Sequence, residues 1–376
     1  MPSPCRILVL NERDPLHPAA GGAEVHVDQI SQRMQQMGFE ITQAASSFPG
    51  APARVRVGGM EVWRLGGLAS YYPRVAWTCA SETRRGRFDV VIEHLNKVPF
   101  CAPAYSAVPV LAVNHHLFGR SAFLQVAWPI AATVVAIEKL IPLVYRGALF
   151  VAVSQSSKDD LIARGVSPDR IRIIHNGIHF PKIEPKPMHE RPCRVAYLGR
   201  LEPYKRVDLM LRSLATLIDR FPSLEIVLVG RGTARPHLER VAAELGLSKR
   251  TRFAGFVSDE ERDILVGDAR VCVCASVKEG WGITVTEANA LGTPVVATDA
   301  PGLRDAVHDG ETGLLVADGE PAAFTERLSR AIGDLLSDDT LAAHLSAGAR
   351  DWAQRFDWDS AASKMAQAVE DARRAG

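Results

Sequence analysis

The chain has 376 residues, which is long for a single hydrophobic core and favours two domains. Hydrophobic residues make up 47% and charged residues 23% of the sequence, as in an ordinary globular protein, and the net charge of +1 gives no sign of a nucleic-acid partner. The charge is uneven, since residues 1–178 hold 18 basic and 13 acidic side chains and the remainder holds 26 and 30, so we expect different partners for the two halves.

The first half alternates strand and helix patterns. A buried strand over Ile7–Leu10 leads through a loop rich in Pro and Gly, residues 11–22, into an amphipathic helix that begins at Ala23 and ends before Gly38. This alternation predicts a parallel sheet covered by helices on both faces. Further strands are predicted at Phe39–Ala44, Val62–Leu65, Asp89–Glu93, Val108–Val113 and Leu149–Val153.

Residues 121–149 are strongly apolar but contain two prolines and three charged side chains, so they do not form a clean transmembrane span. We favour a buried helix pair of the first domain. The alternative is a peripheral membrane contact, in which the basic domain rests on anionic lipid. The apolar run at the N-terminus is too short for a signal peptide, and the six cysteines lack zinc-ligand spacing. We therefore expect free thiols in a cytoplasmic protein, with the membrane contact at its inner face as the alternative.

A Pro-rich segment divides the chain near its middle. Asn176–Pro192 contains four prolines and little apolar periodicity, which is typical of an interdomain linker. We place the domains at residues 1–178 and 193–356, with the linker at 179–192. The second half again alternates helices with predicted strands, at Arg194–Leu198, Glu225–Val229, Thr251–Phe253, Val271–Ala275, Pro294–Thr298 and Gly313–Val316. Two consecutive doubly wound α/β domains follow from this pattern.

Two carboxylates flank a glycine turn in the second half. Glu279 and Glu287 are separated by seven residues, and a short helix pattern over Ala288–Leu291 stops at Gly292, before another strand. In α/β folds ligands bind beside the carboxyl ends of strands. An ionised carboxylate only accepts hydrogen bonds, which suits the hydroxyl groups of a sugar or ribose. The alternative is a pair of surface glutamates, one of them capping the helix.

The segment that starts at Glu279, EGWGITVTEANALGTPVVA, resembles the donor-site motif of retaining nucleotide-sugar glycosyltransferases of the GT-B fold, family 4 type. The resemblance implies two Rossmann-like parallel-sheet domains facing a cleft, with the C-terminal helix, residues 357–376, completing the first. It also implies that Glu279 contacts the transferred sugar and Glu287 the ribose. The family usually has Phe where this chain has Trp281. The remaining donor contacts implied here are Gly280, Trp281, Gly282 and Ile283.

A glycine pair ends the first loop. Gly21 and Gly22 precede the first helix, where backbone N–H groups and the helix dipole favour a phosphate. The pair resembles the glycine loop that faces the donor diphosphate in the family, and Glu24 is a further candidate. The alternative is a plain strand–helix turn with a capping glycine.

Two cations follow the first strand of the second domain. Arg200 and Lys205, in the string GRLEPYKR that begins at Gly199, can converge on one pyrophosphate, Arg as a fork and Lys as a point charge. The string resembles the diphosphate clamp of the family. Fixed cations there stabilise the charge that a departing nucleoside diphosphate gains. The alternative is a solvated basic loop with Arg206 as its third member.

Three further positions resemble family features. The strand pattern that starts at Pro109 ends six residues later in His115, which the resemblance places near the transferred sugar, with His116 as the neighbouring candidate. Phe256 and Val257 resemble the loop that reads the nucleotide base. A helix cap at Ser258, with Glu261 as its capping-box partner, is compatible with that role.

Gly230 lies in a G-x-G string after a strand and is a donor-site candidate. The string is a weak sign of dinucleotide binding, because Arg235 stands where the third glycine would be. Asp357 and Asp359 form a D-x-D string, which we assign to a helix cap and not to a metal.

The implied function is a hexosyltransferase that moves a sugar from a nucleotide-diphospho-sugar, UDP-sugar favoured over GDP-sugar, to an acceptor hydroxyl with its anomeric configuration kept. We expect no cofactor and no essential metal. The acceptor is a lipid-linked sugar, a glycan or a small molecule. The alternatives are a nucleotide-sugar 2-epimerase of the same fold and a non-catalytic nucleotide-sugar-binding protein. An NAD-dependent oxidoreductase is disfavoured.

Overall fold

The computed structural model of the protein describes residues 4–95, 98–119, 123 and 127–375. The chain divides into two compact units, one formed by residues 1–177 with 357–376 and the other by residues 178–356. The elements of the first unit are β1 (Arg6–Leu10), α1 (Gly22–Gln36), β2 (Glu40–Ala45), β3 (Arg54–Val57), β4 (Met60–Arg64), α2 (Leu68–Arg84), β5 (Val90–Leu95), β6 (Val110–Asn114), α3 (Trp128–Glu138), α4 (Ile141–Val144), β7 (Leu149–Ala152), α5 (Gln155–Ala163) and β8 (Ile171–Ile173).

The second unit begins near the Pro-rich segment. Its elements are β9 (Arg194–Leu198), α6 (Val207–Ala215), β10 (Glu225–Val229), α7 (Arg235–Glu244), β11 (Thr251–Gly255), α8 (Asp259–Gly267), β12 (Val271–Cys274), α9 (Ile283–Ala290), β13 (Val295–Thr298), α10 (Leu303–Ala306), β14 (Gly313–Val316), α11 (Pro321–Ser337) and α12 (Asp339–Ala353). The last helix, α13 (Trp358–Ala375), belongs to the first unit.

Each unit is built on one parallel sheet. The strand order is β3-β4-β2-β1-β5-β6-β7-β8 in the first sheet and β11-β10-β9-β12-β13-β14 in the second. Between the described strands every pairing is parallel except that of β3 with β4. The predicted α/β class with two doubly wound parallel sheets is confirmed.

Helices cover both faces of the first sheet. On one face Ile30 and Met34 of α1 and Met365 of α13 pack with Val9 of β1. On the other face Tyr71 and further residues of α2 pack against the opposite sides of the same strands. Strands buried on both faces need apolar residues at successive positions, which explains the continuous runs that identified them in the sequence.

All the predicted strands are present, with ends that agree within two residues. Two short strands, β3 and β8, were missed. In β3 only every second residue is half-buried, and the strand turns into β4 through Gly58 and Gly59, both with positive φ. Such a two-glycine turn is a hairpin feature that the sequence already contained.

The helix predicted over Ala288–Leu291 was placed too late. Helix α9 starts at Ile283, directly after Gly282, which has a φ of +89° that glycine adopts at little cost. The residues between Gly282 and Glu287 are β-branched or small, and their low helix propensity hid the first turn from the sequence pattern.

The prediction of a buried helix pair within residues 121–149 was wrong in part. Ala131 and Val134 of α3 are buried with Phe118, but Trp128 is 73% exposed and Leu143 is 71% exposed. Helix α3 is apolar on every side, so burial of one side leaves the other in solvent. Residues 121, 122 and 124–126 lie outside the described part. Among the described helices, none is long and apolar enough to cross a bilayer.

A buried ion pair fixes the loop after β1. Asp14 accepts hydrogen bonds from Arg64 at the end of β4, at 2.8 Å from Nε and 3.0 Å from Nη2. Both side chains are buried, and the guanidinium lies 4.7 Å from the ring centre of Phe48. A two-pronged pair of this kind compensates desolvation only while both partners are present.

We therefore expect Asp14→Asn to lower the free energy of unfolding by about 3–5 kcal/mol, because Arg64 would remain buried without its counterion. Urea unfolding of the two proteins measures the difference. The matched control is Glu61→Gln, which removes the exposed pair with Arg54 and should cost at most about 1 kcal/mol. Equal effects of the two substitutions would contradict the role given to the buried pair.

Candidate functional site

The donor-site candidates of the second unit follow the carboxyl ends of neighbouring strands. Phe256 follows β11, Gly230 follows β10, Gly199 follows β9 and Glu279 lies in the loop after β12. These strands are adjacent in that order, and because they are parallel their carboxyl ends lie at one edge of the sheet. Residues far apart in the sequence are thus ordered along one line, the edge where ligands bind in open α/β sheets.

Gly230 is required by close backbone contact. A β-carbon at Gly230 would lie 1.8 Å from the carbonyl oxygen of Gly199, a separation that no side chain tolerates. The N–H of Gly199 donates to the carbonyl of Val229 at 2.9 Å, and that of Gly230 to Gly255 at 2.8 Å. The loops after β9 and β10 therefore lie directly against each other.

Lys205 and Glu279 form an ion pair through Nζ and Oε1. Lys205 is buried, and burial opposes its charge, but Glu279 together with Tyr197, Tyr204 and Cys274 outweighs that effect, so the lysine pKa is raised. The ammonium also lies 5.2 Å from the ring centre of Tyr204. The site thus holds a cation and a carboxylate that stay charged together, although the two residues were assigned separate tasks from the sequence.

Arg200 is exposed and donates from Nη2 to the hydroxyl of Tyr204 at 3.1 Å. Burial of part of the side chain works against its charge, but Tyr204 more than compensates, so the pKa of Arg200 is raised. Tyr204 therefore lies beside both predicted cations. Its role was missed, because a tyrosine between Pro203 and Lys205 carries no signature in the sequence.

The backbone at Glu279 is fixed by the loop after β13. Its N–H donates to the carbonyl of Pro301 at 3.0 Å, and a β-carbon at Gly302 would lie 2.3 Å from the carbonyl oxygen of Glu279. Gly280 lies in the turn that follows. Gly302 was not among the sequence candidates, although only glycine allows this approach.

The side chain of Trp281, a predicted donor contact, lies in the core, and the donor contact of this residue stays a prediction. Trp281 is 2% exposed and packs at 4.9 Å between ring centres against Phe356. Its ring fills the core beneath the turn because Gly280 and Gly282 on either side leave no other bulky group there. Gly282 and Ile283, by contrast, start α9 beside the turn.

Glu287 lies one helical turn further along α9 and is paired differently. Its Oε1 is 3.7 Å from Nη1 of Arg262 on α8. Burial raises the pKa of Glu287 to about 7; Arg262 lowers it, and Asp259 and Asp263 raise it. The two glutamates of the motif therefore differ in charge behaviour, since Glu279 is held anionic by a lysine and Glu287 can hold a proton near neutral pH.

Of the two predicted base-reading residues, Phe256 has an exposed side chain and Val257 does not. Phe256 is 75% exposed, and the guanidinium of Arg231 lies 5.0 Å from its ring centre. Val257 packs instead with Val229 and Leu265. Ser258 caps α8 by accepting from the N–H of Glu261 at 3.2 Å, as predicted.

The capping box expected with Ser258 is only half formed. Nη2 of Arg252 donates to the carboxylate of Glu261 at 2.7 Å. This ion pair engages the carboxylate that a capping box would use to accept from the backbone N–H of Ser258. The D-x-D string does act as a cap, since Asp357 accepts from the N–H of Ser360 at 2.7 Å at the start of α13.

In the first unit one backbone N–H of the glycine loop is already bound by a side chain of the protein. The N–H of Gly21 donates to the carboxylate of Glu24 at 2.6 Å, and Glu24 is buried. In this contact the Gly21 N–H serves the helix start and Glu24 is a capping residue, while the donor roles of the two residues stay predictions. Gly22, the first residue of α1, keeps its place at the helix N-terminus.

His115 belongs to a cluster of three histidines. Its Nε2 lies 2.9 Å from Nδ1 of His94 at the end of the adjacent strand β5, and the two rings are stacked. The ring of His26 on α1 stands at 5.0 Å and nearly perpendicular to that of His115. His26 in turn donates from Nδ1 to Asn176 at 2.7 Å. The expected neighbour His116 lies against Phe118, with ring centres 4.8 Å apart.

Burial keeps this cluster neutral. It lowers the pKa of His26 to about 4 and holds the pKa values of His94 and His115 well below their ordinary range; neighbouring histidines add to the effect. His115 is therefore a neutral hydrogen-bonding group at neutral pH. His94 and His26 were missed, because nothing in the sequence shows that β5 and β6 are neighbours.

Within the described part of the chain, no group of three or more His, Cys, Asp and Glu side chains could hold a metal ion.

Two family models match consecutive parts of the chain. The model described as Glycosyltransferase Family 4 matches residues 20–180, and that described as Glycosyl transferases group 1 matches residues 180–352. With the two parallel-sheet units and the similarities given below, these matches identify an enzyme of the glycosyltransferase class with the GT-B fold. The chain belongs to the family 4 type of these glycosyltransferases.

The relatives with similar sequences include D-inositol 3-phosphate glycosyltransferases of actinobacteria. The enzyme of Salinispora arenicola is 28% identical over an alignment that covers 97% of this chain and 91% of that protein. The enzyme of Streptomyces scabiei is 32% identical, but that match covers 53% of this chain and about half of the relative, 48%.

Solved structures with the same fold include sucrose-phosphate synthase of Thermosynechococcus elongatus, with a TM-score of 0.80, 22% identity and coverage of 98% of both chains. HepE of Anabaena, solved in complex with UDP and glucose, has a TM-score of 0.75 and 21% identity, with 98% of this chain and 100% of that chain covered. At these identities the likeness shows the fold alone.

The histidine cluster predicts a pH-dependent stability. Below about pH 6.5 the unfolded chain binds a proton at His26 that the folded protein refuses until about pH 4, so stability falls as the pH is lowered through this window. The slope is about 1.4 kcal/mol per pH unit for each such histidine. His94 and His115 contribute with the same sign. The pKa values of Glu93 and Glu287 are raised by burial and give the opposite sign between pH 4.5 and 7.

The contribution of His26 is therefore measured as a difference. Urea unfolding of the wild type and of His26→Gln across this pH range should give slopes that differ by about 1.4 kcal/mol per pH unit, with the wild type steeper. Parallel curves for the two proteins would show that His26 is not the buried neutral group described here.

Proposed function

We propose that this chain transfers a hexose from a UDP-sugar to an acceptor hydroxyl, with the anomeric configuration kept. The observation that carries the proposal is the buried pair of Lys205 and Glu279 at the carboxyl edge of the second sheet, beside the exposed Arg200. A diphosphate needs fixed cations, and a sugar needs a fixed hydrogen-bond acceptor. This edge supplies both within one unit.

The proposed chemistry uses the two cations to stabilise the leaving group. Bond cleavage at the anomeric carbon places negative charge on the departing diphosphate, and cations already held in place lower the energy of that state. Lys205 stays charged because Glu279 raises its pKa, and Arg200 is charged at any physiological pH. Two cations at this position make an essential metal ion unnecessary in the proposed reaction.

Glu279 is proposed to orient the sugar. Its carboxylate is bound by Lys205, and its backbone is held by Pro301 and packed against Gly302, so it is a fixed acceptor for sugar hydroxyls. A carboxylate neutralised by an ammonium is a poor nucleophile. Retention is therefore proposed to follow from attack of the acceptor on the face that the diphosphate leaves, with a phosphate oxygen taking the proton.

Glu287 is proposed to bind the ribose, whose hydroxyl groups donate to a carboxylate. UDP is favoured as the nucleotide because HepE, which shares the fold, was solved with UDP and glucose. The first unit is proposed to bind the acceptor, with the neutral His115 as a hydrogen-bonding group of that unit.

The donor site is tested by calorimetry with UDP and by the slow consumption of UDP-glucose when water is the acceptor. Lys205→Ala and Arg200→Ala should each reduce this consumption about 100-fold or more while the protein stays folded. The control Lys249→Ala removes an exposed lysine in a turn of the same unit and should have no effect. Activity should also survive dialysis against EDTA.

Near-normal turnover in either variant would remove the clamp from the mechanism, and a loss restored only by Mg²⁺ or Mn²⁺ would contradict metal independence. Conversion of UDP-glucose to an epimer without any acceptor would favour the epimerase alternative.

A membrane partner is also proposed, on the evidence of an apolar surface in the first unit. The side chains of Phe123, Trp128, Ile130, Leu140 and Leu143 are all exposed. The only acid within residues 127–149, Glu138, is buried, where it accepts from the N–H groups of Phe118 and Gly119 at 2.6 and 2.9 Å and pairs with Arg164. Within residues 127–149 the exposed charges are thus Lys139 and Arg146.

An apolar surface with aromatic side chains and only positive charge matches the interface of an anionic bilayer. Vesicles that contain phosphatidylglycerol should bind the protein more tightly than pure phosphatidylcholine vesicles. Trp128→Ser combined with Leu143→Ser should weaken this binding about tenfold or more, since each side chain inserts apolar area. Phe180→Ser, at an exposed aromatic of the second unit, is the control. Equal sedimentation of all three proteins would contradict the contact.

A further inference from the structure

Arg206 has an unusual backbone conformation next to the donor site. Its φ is +51° and its ψ +38°, and it directly precedes α6. Among the described residues only Arg206 and Cys101 combine a side chain with positive φ. The left-handed region is unfavourable for a residue that carries a β-carbon. The surrounding contacts must therefore hold this arginine in place.

The guanidinium of Arg206 joins the ends of three neighbouring strands. Its Nε donates to the carbonyl of Ala275 after β12 at 2.7 Å. Its Nη2 donates to the hydroxyl of Thr298 at the end of β13 at 3.2 Å, and its Nη1 to Asp318 after β14 at 2.6 Å. The plane of the group lies 4.5 Å from the ring centre of Phe324. Only the planar fork of arginine can donate to three such acceptors at once.

The two preceding residues contact the same segment of chain. The carbonyl of Tyr204 accepts from the N–H of Val277 at 3.1 Å, and Lys205 pairs with Glu279. Tyr204, Lys205 and Arg206 thus each contact one residue of the segment that links β12 to the glycine turn. Their partners, at positions 277, 279 and 275 in that order, are spread over the whole of this short segment.

We propose that Arg206 is a positioning residue, which aligns the segment 275–279 so that Lys205 meets both Glu279 and the donor diphosphate. The proposal rests on the proposed function of this edge as a nucleotide-sugar site. Arg206 does not need to touch the ligand. Each of its three guanidinium nitrogens already donates to a protein oxygen, and its effect on the ligand is assigned to the alignment of Lys205.

The test is made with Arg206→Gly, which keeps the left-handed backbone without strain and removes only the side chain. Calorimetry measures the dissociation constants of UDP and of uridine, which lacks the diphosphate. We expect the affinity for UDP to fall about tenfold while that for uridine stays within about twofold. Arg206→Lys, which can reach one acceptor in place of three, should lie between wild type and Arg206→Gly.

A double substitution shows whether the effect passes through Lys205. Lys205→Ala should weaken UDP binding, and adding Arg206→Gly to it should change little, because the contact that Arg206 aligns is then absent. The control Arg220→Gly removes a turn arginine bound to Ser337 and should leave both ligands unaffected. If Arg206→Gly does not fold, Asp318→Ala removes one acceptor of the same group and should reduce UDP affinity about threefold, again without affecting uridine.

Equal losses of UDP and uridine affinity would overturn the proposal in favour of a general structural role. Independent, additive losses in the double variant would also overturn it, because Arg206 would then contact the diphosphate directly. If the wild-type protein does not bind UDP at all, the proposed function itself fails; if it binds UDP and Arg206→Gly binds equally well, only the role of Arg206 fails.

Discussion

Parallel pairing of the strands in the second unit is the constraint on which the donor site depends. It brings the loops after β9, β10, β11 and β12 to one edge of the sheet, so residues separated by up to eighty positions lie side by side. Loops gathered this closely must tolerate backbone contact, which explains the glycine at 230 and, in the loop after β13, the one at 302, whereas Gly199 has a φ of +145° that favours glycine. The same crowding leaves little water around Lys205, and its charge survives because Glu279 is within reach. The close approach of the loops and the raised pKa of Lys205 are therefore both consequences of the parallel strand pairing.

The two glutamates of the motif show that position in a motif does not determine charge. Glu279 is paired with one lysine, Lys205, and its carboxylate accepts hydrogen bonds. Glu287 has Arg262 at 3.7 Å, but that arginine is also bound by Asp259 and Asp263 at 2.8 and 2.7 Å, so less of its charge is available. At neutral pH Glu287 can therefore both donate and accept, whereas Glu279 only accepts. A nucleotide with two ribose hydroxyls and a sugar with several would meet different chemistry at the two places.

Strands were predicted well because burial on both faces imposes apolar runs, and this applies equally to β1 and β9. Glycines with a backbone role, such as Gly199 and Gly230, could also be predicted from the sequence, because a glycine next to a strand end has few other uses. What could not be predicted depends on which strands are neighbours. The contact of His94 with His115 requires β5 beside β6, and the contacts of Arg206 require β12, β13 and β14 in that order. Burial of the Trp281 side chain could not be predicted either, because an aromatic residue between two glycines is compatible with a ligand surface or with a core.

The first unit is discontinuous in sequence, since α13 returns to it after the whole second unit has been made. Trp358, Met365 and Val369 of this helix are buried with residues of β1 and α1, so the core of the first unit stays incomplete until they arrive. The intervening residues 178–356 take about 10–40 s to synthesise at 5–20 residues per second. During that interval the second unit can fold, while the first unit exposes the apolar groove that α13 later covers. During synthesis on the ribosome we therefore expect the second unit to reach its folded structure first. The first unit, which contains the N-terminal residues, is expected to become stable only after α13 has been made.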